Sequence, residues 1–236
     1  MMHTEGMGGM NVTRFANVLV ALSMWPMAVM AQAPAAADDS GAPVWNEMRG
    51  EKLIALKAKG DPLRGELSFE PCQSCHRPGA IGRVSGAYPR LAGQHATVLI
   101  KQMTDIRAGR RNNPKMDPFI SDHAISPMEI ADIATYLSGL PIPTSNGKGP
   151  GTALVRGKDL YVKDCVKCHG DKGEGKAEKF YPMVAAQHYR YLLREMQFIR
   201  DGDRRNSNPE MVKVIKPYSD ADMEAIADYL SQLPPK

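Results

Sequence analysis

Apolar residues recur along this chain at intervals of three and four, and no strand-length run alternates apolar with polar positions. Leu99, Met103 and Ile106 form one stripe, and Leu192, Met196 and Ile199 another. Each marks one face of a helix, predicted over 94–108 and 187–201. Ile130, Ile133, Leu137 and Leu140 make a third stripe, matched by Met223, Ile226, Leu230 and Leu233. It opens at Ser126-Pro127-Met128-Glu129, a capping box with proline at the first helical position, and closes near Gly139. Two further helices pair a glycine with an aromatic four residues on, Gly65 with Phe69 and Gly157 with Tyr161, so that a gap and a ring share one face. Residues 44–59 predict a short extra helix with Trp45, Met48, Leu53 and Leu56 as its apolar residues. The expected fold class is all-α.

The stripes come in pairs because the chain repeats itself. Tyr88-Pro89-Arg90-Leu91-Ala92-Gly93-Gln94-His95 returns 93 residues later as Tyr181-Pro182-Met183-Val184-Ala185-Ala186-Gln187-His188. Asn113-Pro114-Lys115-Met116 returns as Asn208-Pro209-Glu210-Met211, now 95 on, and Tyr136-Leu137 as Tyr229-Leu230, back at 93. Length changes confined to loops are what a duplicated domain shows. Residues 61–140 and 152–236 read as two domains of about three helices each. The Pro-, Gly- and Asn-rich stretch 141–151 reads as a linker.

The first residues differ from the rest. Arg14 precedes an apolar run over 15–30, and Ala31 and Ala33 follow, which is the layout of a secretory signal. Residues 1–33 are expected to be that signal, with cleavage after Ala31. The alternative, an uncleaved anchor, meets an apolar run that contains Pro26 and is shorter than the roughly 20 residues a span needs. Residues 34–60 then form an N-terminal extension that begins as a flexible tether and has no later counterpart. At 43% hydrophobic and 24% charged, the chain has ordinary globular composition. Its net charge of +4 is modest and its cations are scattered among acids, which excludes a nucleic-acid footprint.

All 4 cysteines fall in two short stretches, Cys72-Gln73-Ser74-Cys75-His76 and Cys165-Val166-Lys167-Cys168-His169. Each reads C-x-x-C-H, the attachment site of a c-type haem. The cysteines add to the porphyrin vinyl groups as thioethers, and the adjacent histidine ligates iron from one side. A four-cysteine zinc site expects roughly 15–20 residues between its halves, not the 89 that intervene here between Cys75 and Cys165. A thioredoxin-like pair needs a βαβ context that is absent, and a disulfide has no use for a histidine each time. Export fits too, since covalent haem attachment occurs beyond the bacterial inner membrane. Two haems bring four propionates, which moves the assembled protein toward neutrality.

The second axial ligand decides what such a haem does. Met103 and Met196 lie mid-helix in apolar stripes and read as core. Met116 and Met211 each follow Asn-Pro-x in polar loops, where thioether ligation of iron gives a reason for a methionine. His95 and His188 stand at helix starts; they are either partly exposed helix-start residues or the ligands of a bis-histidine haem. His123 is unmatched in the second copy and reads as a surface residue. The expected metal ligands are thus His76 and Met116, and His169 and Met211. His/Met ligation raises the haem potential, and a six-coordinate iron has no open position for substrate. Arg110, Arg111, Lys115, Arg204, Arg205 and Lys213 lie near the methionines. They either guide docking to acidic redox partners or form an ordinary solvated face; a third role for them is neutralising propionates.

The paired haem motifs, Pro89-Arg90-Leu91-Ala92-Gly93-Gln94, the Asn-Pro-x-Met segments and the Tyr-Leu helices together resemble the class I c-type cytochromes, specifically the dihaem cytochrome c₄ family, over 61–236. The resemblance implies two cytochrome c domains related by pseudo-twofold symmetry, with propionate edges near the interface. It implies that Gly65/Phe69 and Gly157/Tyr161 cross the last helix of their domains, and that the carbonyls of Pro89 and Pro182 accept from Nδ1–H of the ligand histidines. The second copy's Pro182-Met183-Val184-Ala185-Ala186-Gln187 departs from the motif, as does the extension. The expected function is single-electron transfer in the periplasm, without catalysis. Donors would be a bc₁-type complex or a periplasmic dehydrogenase and the acceptor a terminal oxidase, with any membrane contact made through such partners. The competing readings are a dihaem enzyme, a peroxidase or a thiosulfate oxidiser, which needs an open haem face, and the electron-accepting subunit of a dehydrogenase, with 44–60 as its docking element.

Overall fold

The computed structural model describes residues 45–235; the expected signal and tether lie outside the described residues. Eleven helices are described, in the order α1 Gly50–Lys57, α2 Pro62–Phe69, α3 Gln73–His76, α4 Ala96–Arg107, α5 Asp117–Ile120, α6 Pro127–Gly139, α7 Leu154–Asp164, α8 Val166–His169, α9 Tyr189–Asp201, α10 Pro209–Ile215 and α11 Asp220–Gln232. Among the described residues the only β pairing is an isolated bridge between Lys176 and Tyr181. No helix among them is long and apolar enough to cross a membrane.

Local chemistry sets the helix starts. Asp61 accepts hydrogen bonds from the first amides of α2. Ser126 with Glu129, and Ser219 with Asp222, close capping boxes on α6 and α11. Pro71 ends α2, and a 3₁₀ turn over Glu70–Cys72 leads into the first haem motif. The apolar stripes then pack as two separate cores. Phe69, Leu99, Met103, Ile106, Ile130, Ile133 and Leu137 fill the first. Tyr161, Leu192, Met196, Ile199, Met223, Ile226 and Leu230 fill the second. In each, a glycine lets two backbones meet: Gly65 of α2 lies against Asp132 of α6, and Gly157 of α7 against Ala225 of α11. The two Gly/aromatic faces thus do cross the last helices.

The extension differs from its reading. Its helix is limited to Gly50–Lys57, Met48 lies outside it and is exposed, and its fully buried residues are Lys52 and Ala55. It packs on α4 and α6, and its inward face carries charge as well as methyls. Lys52 Nζ stands 2.9 Å from Asp105 Oδ1, both 1% exposed. Lys101 also pairs with Asp105, Arg110 Nε donates to it at 2.9 Å, and Asn206 Nδ2 donates at 2.9 Å. Lys101 lies over the Trp45 ring as well, 4.4 Å from its centroid. Burial works to raise the Asp105 carboxyl, but the Lys101 ammonium and hydrogen bonds from Lys101 and Asn206 outweigh it and hold the group at about 2. Removing one member of a buried ionic cluster strands the others without solvent. Asp105→Asn is therefore expected to cost about 3–5 kcal/mol, measured by chemical denaturation. A loss under 1 kcal/mol would show that the cluster is hydrated and not truly buried.

Between the repeats the contacts are polar and two-fold related. His95 Nε2–H donates to the Glu174 carbonyl at 2.8 Å, and His188 Nε2–H to the Ile81 carbonyl at 2.9 Å. Gln94 bonds the backbone of Met183, and Gln187 that of Arg90. Arg111 and Arg204 both reach Glu195 and Gln102. The Arg90 side chain breaks the symmetry, since its counterpart is Met183. It is 1% exposed and donates to the carbonyls of Ala185 and Ala186 at 2.9 and 3.1 Å. The second half of the stretch 141–151 is bonded to the second repeat, with Asn146 on Gln187 and Ser231, Gly149 on Ser231, and Gly151 on Asp228.

Candidate haem sites

Each C-x-x-C-H motif sits on a short helix, α3 or α8, that follows the helix bearing the glycine and aromatic. The four cysteines are unpaired and half-buried. Cys72 packs against the first apolar core and Cys165 against the second. Burial pushes both thiols up, Cys165 to about 12. Among the described residues, no three His, Cys, Asp or Glu side chains converge as a metal site.

The histidines are oriented from behind. His76 Nδ1 lies 3.2 Å from the Pro89 carbonyl, and His169 Nδ1 3.0 Å from the Pro182 carbonyl. A carbonyl only accepts, so each Nδ1 carries the proton and each Nε2 keeps its lone pair, the form in which an imidazole can ligate a metal. Burial holds both imidazoles below their ordinary value, with the proline carbonyls working the other way; neutral imidazole is the ligating form. These residues fit a covalently attached haem on an observation that owes nothing to the motif. Cys72 and Met116 border the first apolar core and Cys165 and Met211 the second, and a proline carbonyl orients the histidine of each domain.

One of the two methionines is not where the sequence reading put it: Met116 lies in the turn before α5, as read, but Met211 is helical. Met116 caps the N-terminus of α5 and Met211 lies in the first turn of α10; both are half-buried, Met116 against the first core and Met211 against the second. The missed signal was Asn-Pro itself. Asn208 caps α10 by accepting from Glu210 N–H at 2.9 Å, and proline at the first helical position arrives with helical φ. Met103 and Met196 are buried in the stripes, 6% and 7% exposed, as read.

His95 is a half-buried helix-start residue, as read, whereas His188 is fully buried at the start of α9; both donate across the interface. His188 is 2% exposed, and its Nδ1 accepts from the Gly147 amide at 2.9 Å while Nε2–H donates to Ile81. Both nitrogens of a neutral ring are thereby used. Burial holds its pKa down, opposed by the Ile81 carbonyl and aided by Arg90. A base with a lowered folded pKa is worth its full stability above the unfolded value of 6.5, and that stability is lost as pH falls below it. Thermal stability is expected to drop between about pH 7 and 5, and His188→Gln to flatten that drop in calorimetry. An unchanged slope in the variant would assign the acid sensitivity elsewhere.

Three of the six basic residues read as a docking or solvated face, Arg110, Arg111 and Arg204, are partly buried in ion pairs, and a fourth, Arg205, is exposed but bonded. Arg111 and Arg204 bind Glu195 and Gln102, Arg110 binds Asp105 and Glu47, and Arg205 donates to the Gly109 carbonyl. Lys115 and Lys213 alone of the six make no such bond among the described residues and lie exposed. The reason is tertiary: α4 and α9 and the loops after them face one another, which no single repeat reveals. His123 is exposed.

A family model described as cytochrome c matches residues 63–141 and again 154–234. A cytochrome c4 of Pseudomonas aeruginosa is 31% identical over 185 residues, covering 75% of this chain and 90% of that one. The chain belongs to the dihaem cytochrome c₄ family. This cytochrome carries two covalently bound haem c groups, one on each cysteine pair, in two tandem helical domains, and it is an electron carrier. A thiosulfate dehydrogenase electron acceptor of Stutzerimonas stutzeri is 33% identical over 172 residues, covering 69% of this chain and 78% of the relative. The crystal structure of reduced recombinant cytochrome c4 from Pseudomonas stutzeri superposes with a TM-score of 0.67 at 26% identity, covering 75% of this chain and all of that one. The family model begins after α1, so the extension and its buried Lys52 lie outside the shared fold.

Proposed function

We propose that this cytochrome carries single electrons in the periplasm, with His76 and Met116 as the axial ligands of the first haem and His169 and Met211 as those of the second. The observation that carries this is that each domain packs a motif cysteine and a half-buried methionine against one apolar core and anchors the adjacent histidine at Nδ1. When bound, each haem iron supplies a one-electron Fe(III)/Fe(II) couple. The chain's part is positional. Pro89 and Pro182 hold the histidine tautomer, the stripes exclude water, and α5 and α10 hold the thioethers. Fixed ligands on both sides leave nothing to rearrange between oxidation states and no position for substrate, which favours transfer over catalysis. The absorption spectrum of the oxidised holoprotein tests this. Six-coordinate His/Met ligation requires the weak near-infrared sulfur-to-iron band and slow CO binding after reduction. A high-spin spectrum or rapid CO binding at either haem would remove the carrier reading in favour of a dihaem enzyme.

Donor and acceptor would be other redox proteins, such as a bc₁-type complex or periplasmic dehydrogenase upstream and a terminal oxidase downstream. The identity with a thiosulfate dehydrogenase electron acceptor favours a thiosulfate dehydrogenase as donor. Mixing that enzyme, reduced by thiosulfate, with the oxidised cytochrome in a stopped-flow cell would reduce both haems if the reading holds. The docking role first given to 44–60 is not retained, because Ala55 and Leu56 of α1 are packed in the first core.

A further inference from the structure

A peptide bond is one planar, polarisable unit, so a hydrogen bond at its N–H strengthens its carbonyl as an acceptor. The peptide joining Pro89 to Arg90 is bonded at both ends. Its carbonyl takes His76 Nδ1–H at 3.2 Å, and its N–H donates to Gln187 Oε1 at 2.9 Å. Gln187 belongs to the other domain. The arrangement recurs in reverse: the Pro182–Met183 peptide takes His169 Nδ1–H at 3.0 Å and donates to Gln94 Oε1 at 3.0 Å. Each amide is held the right way round, because Gln187 Nε2 donates to the Arg90 carbonyl at 2.9 Å and Gln94 Nε2 to the Met183 carbonyl at 2.9 Å. Each Oε1 also takes the next backbone amide at 3.0 Å. The glutamines are 8% and 4% exposed, so water does not compete.

We infer that Gln94 and Gln187 are crossed positioning residues: each, from its own domain, polarises the peptide that supports the iron-ligating histidine of the other. This rests on the reading of His76 and His169 as iron ligands. A stronger acceptor at Nδ1–H makes the imidazole a more basic ligand, which stabilises Fe(III) over Fe(II) and lowers the potential. Each haem's potential therefore depends on the presence of the opposite domain. Only glutamine meets both ends of the supporting residue here. A leucine meets neither, and a glutamate keeps the acceptor but loses the donor.

The test is spectroelectrochemical titration of the holoprotein, resolved into two one-electron waves and assigned to haems by the shift that Met116→His produces in the first. Gln187→Leu raises the potential of the first haem and leaves the second in place; Gln94→Leu raises the second and leaves the first. Gln187→Glu keeps the first haem at or below its starting potential. Glu195→Gln weakens the same interface without touching either supporting peptide, so it produces no crossed pattern. Equal shifts of both waves in each leucine variant, or none, would overturn the relay, and so would a rise in Gln187→Glu matching that in Gln187→Leu. Should the leucine variants fail to assemble, the glutamate result decides by itself. The ligand reading is checked separately: His76→Ala must lose the low-spin spectrum of one haem, and a retained low-spin spectrum would refute ligation by His76 whatever the waves do.

Discussion

Gly157→Val is expected to destabilise the second domain by about 3 kcal/mol or more, enough to remove much of the 5–15 kcal/mol that a domain of this kind holds in reserve. A Cβ at this position would overlap the carbonyl oxygen of Ala225 and crowd the Tyr229 Cβ. The obstacle is helix backbone, which cannot rotate away as a side chain can. α7 would have to lift from α11, exposing Tyr161, now 1% exposed, and shifting the Cys165 end of the same helix from its core. Thermal unfolding and the yield of protein with haem in both domains would report the effect. Gly139→Ala is the control, because nothing lies within 4 Å of its Cβ and its φ is ordinary. There the loss of glycine's unfolded-state freedom should stabilise by about 0.4–1 kcal/mol. If Gly157→Val were as harmless as Gly139→Ala, the close helix crossing would not exist.

Met116→His should leave the first haem attached but lower its potential by a sizeable part of the roughly 0.8 V range that axial ligation spans. Imidazole is a harder donor than thioether and favours Fe(III). The attachment residues Cys72 and Cys75 and the proposed ligand His76 are untouched, so haem content should not change. Met116→Ala opens the sixth position instead; the expected result is a high-spin first haem that binds CO rapidly, with the second haem unaltered. Met211→Ala should do the same to the second haem. An unchanged potential in Met116→His would show that another residue caps the first iron. His95 is not a candidate, since its Nε2 lies against the Glu174 carbonyl.

What was legible in the sequence is what depends on neighbours a few residues away. The stripes through Leu99, Ile133, Leu192 and Ile226 are buried because helical periodicity puts them on one face. Ser126 and Glu129 cap α6 because a capping box involves four consecutive residues. The cysteine motifs name their cofactor because attachment needs two thiols and an imidazole at fixed short spacing. The 93-residue repeat announced a pair of domains before any contact was known. The α10 start at Asn208-Pro209 was as local as these and was overlooked because the six residues that lead into it, 203–208, are all polar.

The interface was a different matter. Gln94 and Gln187 stand next to histidines in both copies, yet their partners are 89 and 97 residues distant. Arg111 and Arg204 read as surface charge and are instead shared between Glu195 and Gln102. Lys52 in a stretch without a counterpart turned out to face Asp105 at 1% exposure. A polar or charged side chain is equally compatible with water and with a buried partner, and only the tertiary structure says which it has. The sequence by itself determined two haem-bearing helical domains. How the domains grip each other, and through that grip how the opposite domain supports each histidine, was decided by folding alone, because those bonds join residues that meet only when both copies are complete.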